Sequence, residues 1–149
     1  MGYILALIGL GFMVGLAGCG SAVGTAIVGM STLGAIKKRP EIFGSGMILT
    51  AVPGTQGLYG FVGFFLYNGL VNPTYTLFQG SVVFGAGLAV GLACLVSGIF
   101  QGKVCANGIA AIGSGQNVFG NTIILAAFPE FYAILSLVAA ILMQALLKV

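Results

Sequence analysis

The chain has 149 residues, of which 59% are hydrophobic, 26 are glycine and 5% are charged, with five basic residues, two acidic residues and no histidine. A soluble domain needs about a quarter of its residues charged, so a water-facing enzyme and a disordered chain are excluded, and a balance of +3 from scattered cations makes no nucleic-acid patch. Histidine catalysis and histidine metal sites are excluded too, which leaves an integral membrane protein whose buried ionisable groups are the first functional suspects.

A membrane's hydrocarbon core of roughly 30 Å takes about 20 helical residues, and four apolar runs meet that length. The first, at about 2–33, is uncharged and carries Gly9, Gly11, Gly15, Gly18, Gly20 and Gly24. It has no basic leader and runs past signal-peptide length, so it is read as a retained span. Lys37, Lys38, Arg39, Pro40 and Glu41 then form one polar turn. The second run, at about 43–70, holds Val52-Pro-Gly-Thr-Gln56-Gly-Leu-Tyr59 at its middle. Pro53 has no N–H and crowds the preceding turn, so it loosens the helix and frees a carbonyl. An uncharged turn, 71–75, leads to the third run at about 76–110, which carries Gly85, Gly87, Gly91, Gly98 and Gly102 together with Gln101 and Lys103. A polar stretch, 113–117, precedes the fourth run at about 119–147, which contains Pro129 and Glu130. Only helices suit such runs, because lipid satisfies no backbone group and no alternating barrel pattern is present.

Lys37, Lys38 and Arg39 make the first loop the basic one, so it is expected on the cytoplasmic side, with both termini outside. Lys103, near the 3–4 turn, agrees, and Lys148 at the outer end is a lone exception. Cys19, Cys94 and Cys105 show no CxxC spacing and read as helix-packing thiols.

A gapless shift of 76 residues pairs Gly9 with Gly85, Gly11 with Gly87, and Val14-Gly-Leu-Ala17 with Val90-Gly-Leu-Ala93. It also pairs Ser21 with Ser97, Ala35-Ile36 with Ala111-Ile112, Phe43-Gly44 with Phe119-Gly120, and Pro53 with Pro129. An offset that holds across both helices of each half marks a tandem duplication. The expected fold is an all-α membrane protein of four transmembrane helices, arranged as two parallel helical hairpins, 1–75 and 76–149. The glycines of the first and third spans offset their helix cost of about 1 kcal/mol each if they let backbones approach. Small residues on more than one face suit helices crowded into the inner circle of a ring of identical subunits; generic dimer packing is the plainer alternative.

Glu130 is the sole acid in any span, about 16 and 26 Å along the axis from the two helix ends. A lone carboxylate at that depth costs at least ~2.5 kcal/mol, so it must be protonated, paired or bound to a cation; Lys103 is one possible pair. Thr55, Gln56 and Tyr59 lie at a similar depth with spacings that gather them on one face, and Gln101 adds another amide. Taken singly, such residues serve as interhelical glue. Taken with one carboxylate, they form the neutral-oxygen shell of a hard monovalent cation, whereas a proton needs the acid alone and divalent ions want more carboxylates.

VPGTQGLYGF at 52–61, SGIFQGKV at 97–104 and PEFYAIL at 129–135 resemble the proteolipid, the c or K subunit, of prokaryotic V-type (V/A-type) ATPases, nearest their sodium-translocating branch. The resemblance runs over essentially the whole chain. It implies a membrane rotor ring that binds Na+ through Glu130, Thr55, Gln56, Gln101 and the backbone carbonyl of Val52, with Tyr59 hydrogen-bonding the acid and Pro53 and Pro129 bending the outer helices. It implies as partners identical subunits, lipid, a stator membrane subunit of the a or I type bearing an arginine, and a subunit of the central stalk. This chain would be a non-catalytic, ion-translocating part of an ATP-driven pump. Phe131 stands where the family often has Thr, and Gly54 occupies in the first hairpin the place of Glu130 in the second, so one site serves four helices. A ring carrying H+ on Glu130 alone is the alternative ion, and a small four-helix multidrug exporter is the alternative of another class. A purely structural pore has no need of the Thr55, Gln56 and Gln101 oxygens.

Overall fold

A computed structural model describes residues 1–148; residue 149, the last of the second hairpin, lies outside the described residues. The described residues form helices and turns with no strand. Helix α1 runs Gly2–Ile36, α2 Phe43–Ala51, α3 Thr55–Asn68, α4 Leu77–Gly113 and α5 Phe119–Met143. Three helical stretches are each long and apolar enough to cross a membrane, Gly2–Ile36, Leu77–Gly113 and Phe119–Lys148. The second span is instead composite, because Val52–Gly54 forms a 3-10 turn between α2 and α3. Pro53 is the cause, since it removes one helical donor and its ring displaces the turn before it. Pro129, its counterpart, leaves α5 unbroken.

The ends differ from the sequence bounds for local reasons. Helix α1 continues past 33 to Ile36, and the backbone of Lys38 and Arg39 closes it by bonding to the Ala35 carbonyl. Arg39 then donates to the Ile112 carbonyl at 3.3 Å, tying the first loop to the end of α4. Arg39 also pairs with Glu41 at 2.8 Å, and that carboxyl is held below the usual range by its own backbone and by the guanidinium. Thr76 is the N-cap of α4 rather than its first residue. Its hydroxyl accepts from the Gln79 N–H, and Gln79 Oε1 accepts from the Thr76 N–H, a reciprocal capping box. Gly115 adopts φ +101°, which permits the tight turn into α5. The chain beyond Met143 tightens into a 3-10 segment, Gln144–Lys148, where a continuous helix to 147 is expected from the sequence.

Helices α1 and α4 pack backbone to backbone along their length. A Cβ on Gly9 would stand 2.5 Å from the Phe84 Cα, on Gly20 2.6 Å from the Leu95 Cα, and on Gly102 2.6 Å from the Gly24 Cα. No larger residue fits at these crossings, which is how the glycine content becomes close packing in a solvent that gives apolar helices no other reason to associate. The second span covers α1, with Gly57 against Ser21 and Gly60 against Ala17 and Met13. Helix α5 covers α4.

Buried apolar side chains form two clusters. One holds Leu10, Met13, Tyr67, Val83, Val90, Cys94 and Ala133 with their neighbours. The other holds Val28, Leu49, Cys105, Ile109 and Ala126 with theirs. Cys94 and Cys105 are therefore packing thiols, while Cys19 is exposed. Between the clusters lies a polar layer.

Candidate functional site

That layer is assembled from both hairpins. The 3-10 turn brings Thr55 and Gln56 to the head of α3, and Gln56 is fully buried against α4. Its amide nitrogen donates to Gln101 Oε1 at 2.7 Å and to Ser97 Oγ at 3.0 Å. Gln101, also fully buried, donates to the Ala126 carbonyl at 2.8 Å and to Glu130 Oε2 at 3.0 Å. Tyr59, one turn beyond Gln56, donates to Glu130 Oε1 at 2.6 Å. Each carboxylate oxygen thus accepts one hydrogen bond, one from α3 and one from α4. Ser97 closes the network by donating to the Pro129 carbonyl at 2.8 Å.

The oxygens gather on the other side. Thr55 Oγ1 donates to the Val52 carbonyl at 3.1 Å and lies 3.4 Å from Gln56 Oε1. Three neutral oxygens from the turn are therefore linked at hydrogen-bond spacing through Thr55, and the Gln56 and Gln101 amides connect them to Glu130. Glu130 itself is only partly buried, with Phe128 and Phe131 exposed on either side of it, so it stands at the outer flank of the bundle.

The structure brings together Val52, Thr55, Gln56, Tyr59, Gln101 and Glu130. Gln101 meets the acid with its nitrogen, and its oxygen is taken by Gln56. To offer that oxygen to a cation, the amide shares its second lone pair or turns over. Lys103 is the residue that stays apart: its ammonium lies over the Phe100 ring, 4.6 Å from the centroid, and among the described residues no cation pairs with Glu130. The short step along α4 from Gln101 to Lys103 is a rotation of about 200°, which carries the lysine to the opposite face. Ser97 is a member of this network that the acid, amide and proline pattern does not reveal. Its signal is its place one turn before Gln101 and its match to Ser21 in the repeat.

A family model for the ATP synthase C subunit matches the chain twice, over residues 8–67 and 84–143. The two matches are offset by the same 76 residues that relate the hairpins. The chain is 39% identical over 117 residues to the V-type sodium ATPase subunit K of Enterococcus hirae, across 78% of this chain and 75% of that one. It is 39% identical over 140 residues to the A-type ATP synthase subunit K of Methanocaldococcus jannaschii, across 94% of this chain and 61% of the longer relative. It is 34% identical over 116 residues to the 16 kDa proteolipid of the V-type proton ATPase of Nephrops norvegicus, across 76% and 72%. Because the model fits each hairpin in turn while only the second carries an acid within a span, the chain belongs to the ATP synthase C subunit family, in a duplicated form with one such carboxylate for four spans.

Proposed function

We propose that the chain is the rotor-ring proteolipid of a V/A-type rotary ATPase and that each copy carries one Na+ at Glu130 as the ring turns against a stator. The observation that carries this reading is the cluster of neutral oxygens, from Val52, Thr55 and Gln56, joined through the Gln56 and Gln101 amides to a carboxylate held by Tyr59 and Gln101. Such a shell holds a hard monovalent cation, whereas proton carriage has no use for it. The site residues are Glu130, Thr55, Gln56, Gln101 and the Val52 carbonyl, with Tyr59 locking the acid.

The chemistry of turnover is electrostatic. A bare carboxylate in hydrocarbon costs at least ~2.5 kcal/mol, so a copy facing lipid must hold its ion. Once Na+ cancels the charge, the partly exposed flank around Phe128 and Phe131 passes through lipid. At the stator, an a- or I-type membrane subunit, an arginine competes for Glu130 and releases the ion into an exit half-channel. The central stalk links the turning ring to ATP hydrolysis or synthesis in a soluble head. Each copy is built from hairpins 1–75 and 76–149. The Lys37–Arg39 loop and the 3–4 turn are on the cytoplasmic side, with both termini outside, in keeping with the positive-inside rule.

The test is carbodiimide labelling of Glu130 in membranes that contain the assembled complex. Protection by millimolar Na+ at neutral pH is the expected result. Labelling that responds to pH and ignores Na+ replaces the sodium ring with a proton ring. That is the ion named for the relative from Nephrops norvegicus.

A further inference from the structure

Helix α3 begins inside the second span, at a break that leaves backbone donors without helical acceptors. The first four N–H groups of any helix lack a partner one turn back, and hydrocarbon offers them none. Gly54 stands at the N-cap position of α3 and has no side chain with which to cap it. The Thr55 N–H turns back to the Val52 carbonyl in the 3-10 turn. The Gly57 N–H, third in the helix, donates instead to Ser21 Oγ of α1 at 2.7 Å. That third N–H is one that a capping hydroxyl ordinarily satisfies from the helix's own N-cap residue; here the hydroxyl comes from another helix, 36 residues away in sequence. Glycine at 57 permits the approach, because a Cβ there would stand 3.2 Å from the Ser21 Oγ and 3.3 Å from its Cβ.

The repeat supplies a comparison within the chain. Ser21, Pro53 and Gly57 correspond to Ser97, Pro129 and Ala133. Ser97 donates to the Pro129 carbonyl at 2.8 Å, and α5 runs through Pro129 unbroken. A carbonyl has two lone pairs, so a serine that donates to it leaves the helical bonds in place. A serine that accepts a backbone N–H takes that donor from the helix. Proline is thus common to both hairpins, and the break goes with the direction of the serine's hydrogen bond.

We propose that Ser21 is a positioning residue for the ion site: by capping α3 at Gly57 it holds the Val52–Gly54 turn open and keeps the turn's oxygens together. The Val52 carbonyl and the Thr55 hydroxyl meet there at 3.1 Å. Ser97, the repeat partner of Ser21, holds the Gln56 side-chain amide at 3.0 Å. The two inner helices thus pin adjacent residues of α3, one by its side chain and one by its backbone. What the oxygens bind rests on the sodium reading above, whereas the capping of the turn stands apart from it. Without the Ser21 hydroxyl, the Gly57 N–H returns to the Pro53 carbonyl and the Gln56 N–H to the Val52 carbonyl, the pattern of a continuous helix. The Val52 oxygen is then engaged within the helix and no longer shared with Thr55.

Ser21→Ala in the assembled membrane complex tests this with two readouts. The Na+ concentration that protects Glu130 from carbodiimide should rise about 3- to 10-fold, the effect of one ordinary hydrogen bond on the population of the open turn. The pH profile of labelling without Na+ should stay in place, because Tyr59 and Gln101 still hold the acid. Solid-state NMR of the Val52 carbonyl is the second readout. Carbonyl-labelled valine with nitrogen-labelled proline isolates that one signal, since no other valine precedes a proline. It should move in Ser21→Ala before any Na+ is added, and Ser21→Thr, which keeps the hydroxyl, should restore both readouts. Unchanged protection in Ser21→Ala, weaker protection with the Val52 signal unmoved, or an equal loss in Ser21→Thr overturns the proposal and leaves the sodium reading standing. Absence of Na+ protection in the unaltered chain overturns the sodium reading. The Val52 signal of Na+-free Ser21→Ala then still decides the part played by Ser21: movement supports the capped turn, and a fixed signal overturns it.

Discussion

The Tyr59 hydroxyl reaches Glu130 Oε1 at 2.6 Å across a sequence separation of 71 residues. The repeat shows why that distance matters. Glu130 corresponds to Gly54 and Tyr59 to Leu135, so the acid occurs only in the second hairpin and its phenol only in the first. Neither half contains both members of this bond, so the network that holds Glu130 needs the two hairpins together.

Tyr59→Phe removes that bond and the phenol's contact with Thr55, while the ring still fills its place against the apolar cluster. A hydrogen bond to a charged group contributes about 1.5–3 kcal/mol, and Gln101 retains its hold on the other oxygen. The expected effect is a rise of about 10-fold or more in the Na+ concentration that protects Glu130 from carbodiimide, with ring assembly unchanged on a native gel. Unaltered protection means that the phenol is not part of the site.

Gln101→Leu is expected to be more severe. It leaves Glu130 Oε2 without a partner and takes one of two acceptors from the Gln56 amide, which keeps Ser97 Oγ. An unpaired buried polar group costs about 1–3 kcal/mol, so both ion protection and the thermal stability of the ring should fall. Glu130→Gln should assemble normally and abolish ATP-linked ion transport. Full transport by that variant removes the acid from the mechanism.

The two candidate ions also differ in what they ask of Gln101. Ligation of Na+ by its oxygen turns the amide over or shares a lone pair, and either disturbs the Gln56 Nε2 to Gln101 Oε1 bond now at 2.7 Å. Protonation of Glu130 asks for neither. Solid-state NMR of side-chain amide nitrogens should therefore show Gln56 and Gln101 moving together as Na+ is added at fixed pH. Amide signals that follow pH and ignore Na+ favour the proton.

Much of this architecture is legible in the sequence because lipid is a strict solvent. Charges and polar runs are costly inside spans, so Lys37–Arg39 and the polar stretch before Phe119 mark helix ends within a few residues, and a lone Glu130 identifies itself by its cost. Pro53 announces a loosened helix, but proline alone does not say whether the turn becomes 3-10, as at Val52–Gly54, or stays α-helical, as at Pro129. Direction round a helix is harder to read than depth along it. Lys103 is level with the site to within about 3 Å of rise yet faces away towards the Phe100 ring, and Ser97 joins the network only because α4 turns it towards Gln56 and α5.

The two hairpins also differ in how they pack near the loop end, and the difference leads to a reciprocal test. In the first hairpin Thr32 of α1 packs its methyl on Gly46 of α2; in the second Thr122 of α5 packs its methyl on Gly108 of α4. The repeat pairs Thr32 with Gly108 and Gly46 with Thr122, so the threonine and the glycine have changed places between inner and outer helix while the combined volume is conserved. A Cβ on Gly108 would collide with Thr122, whose hydroxyl is fixed by its bond to the Val118 carbonyl at 2.8 Å. Gly108→Ala should therefore destabilise the ring by about 1–3 kcal/mol, the usual penalty of overpacking. Adding Thr122→Gly removes the obstructing methyl and should recover most of that loss, less up to about 1 kcal/mol for a new glycine within a helix. The coupling is read as the interaction energy of a double-mutant cycle on ring dissociation. Additive effects would mean that α4 and α5 move apart freely at this level, and that the exchange of Thr and Gly between the hairpins has no packing consequence.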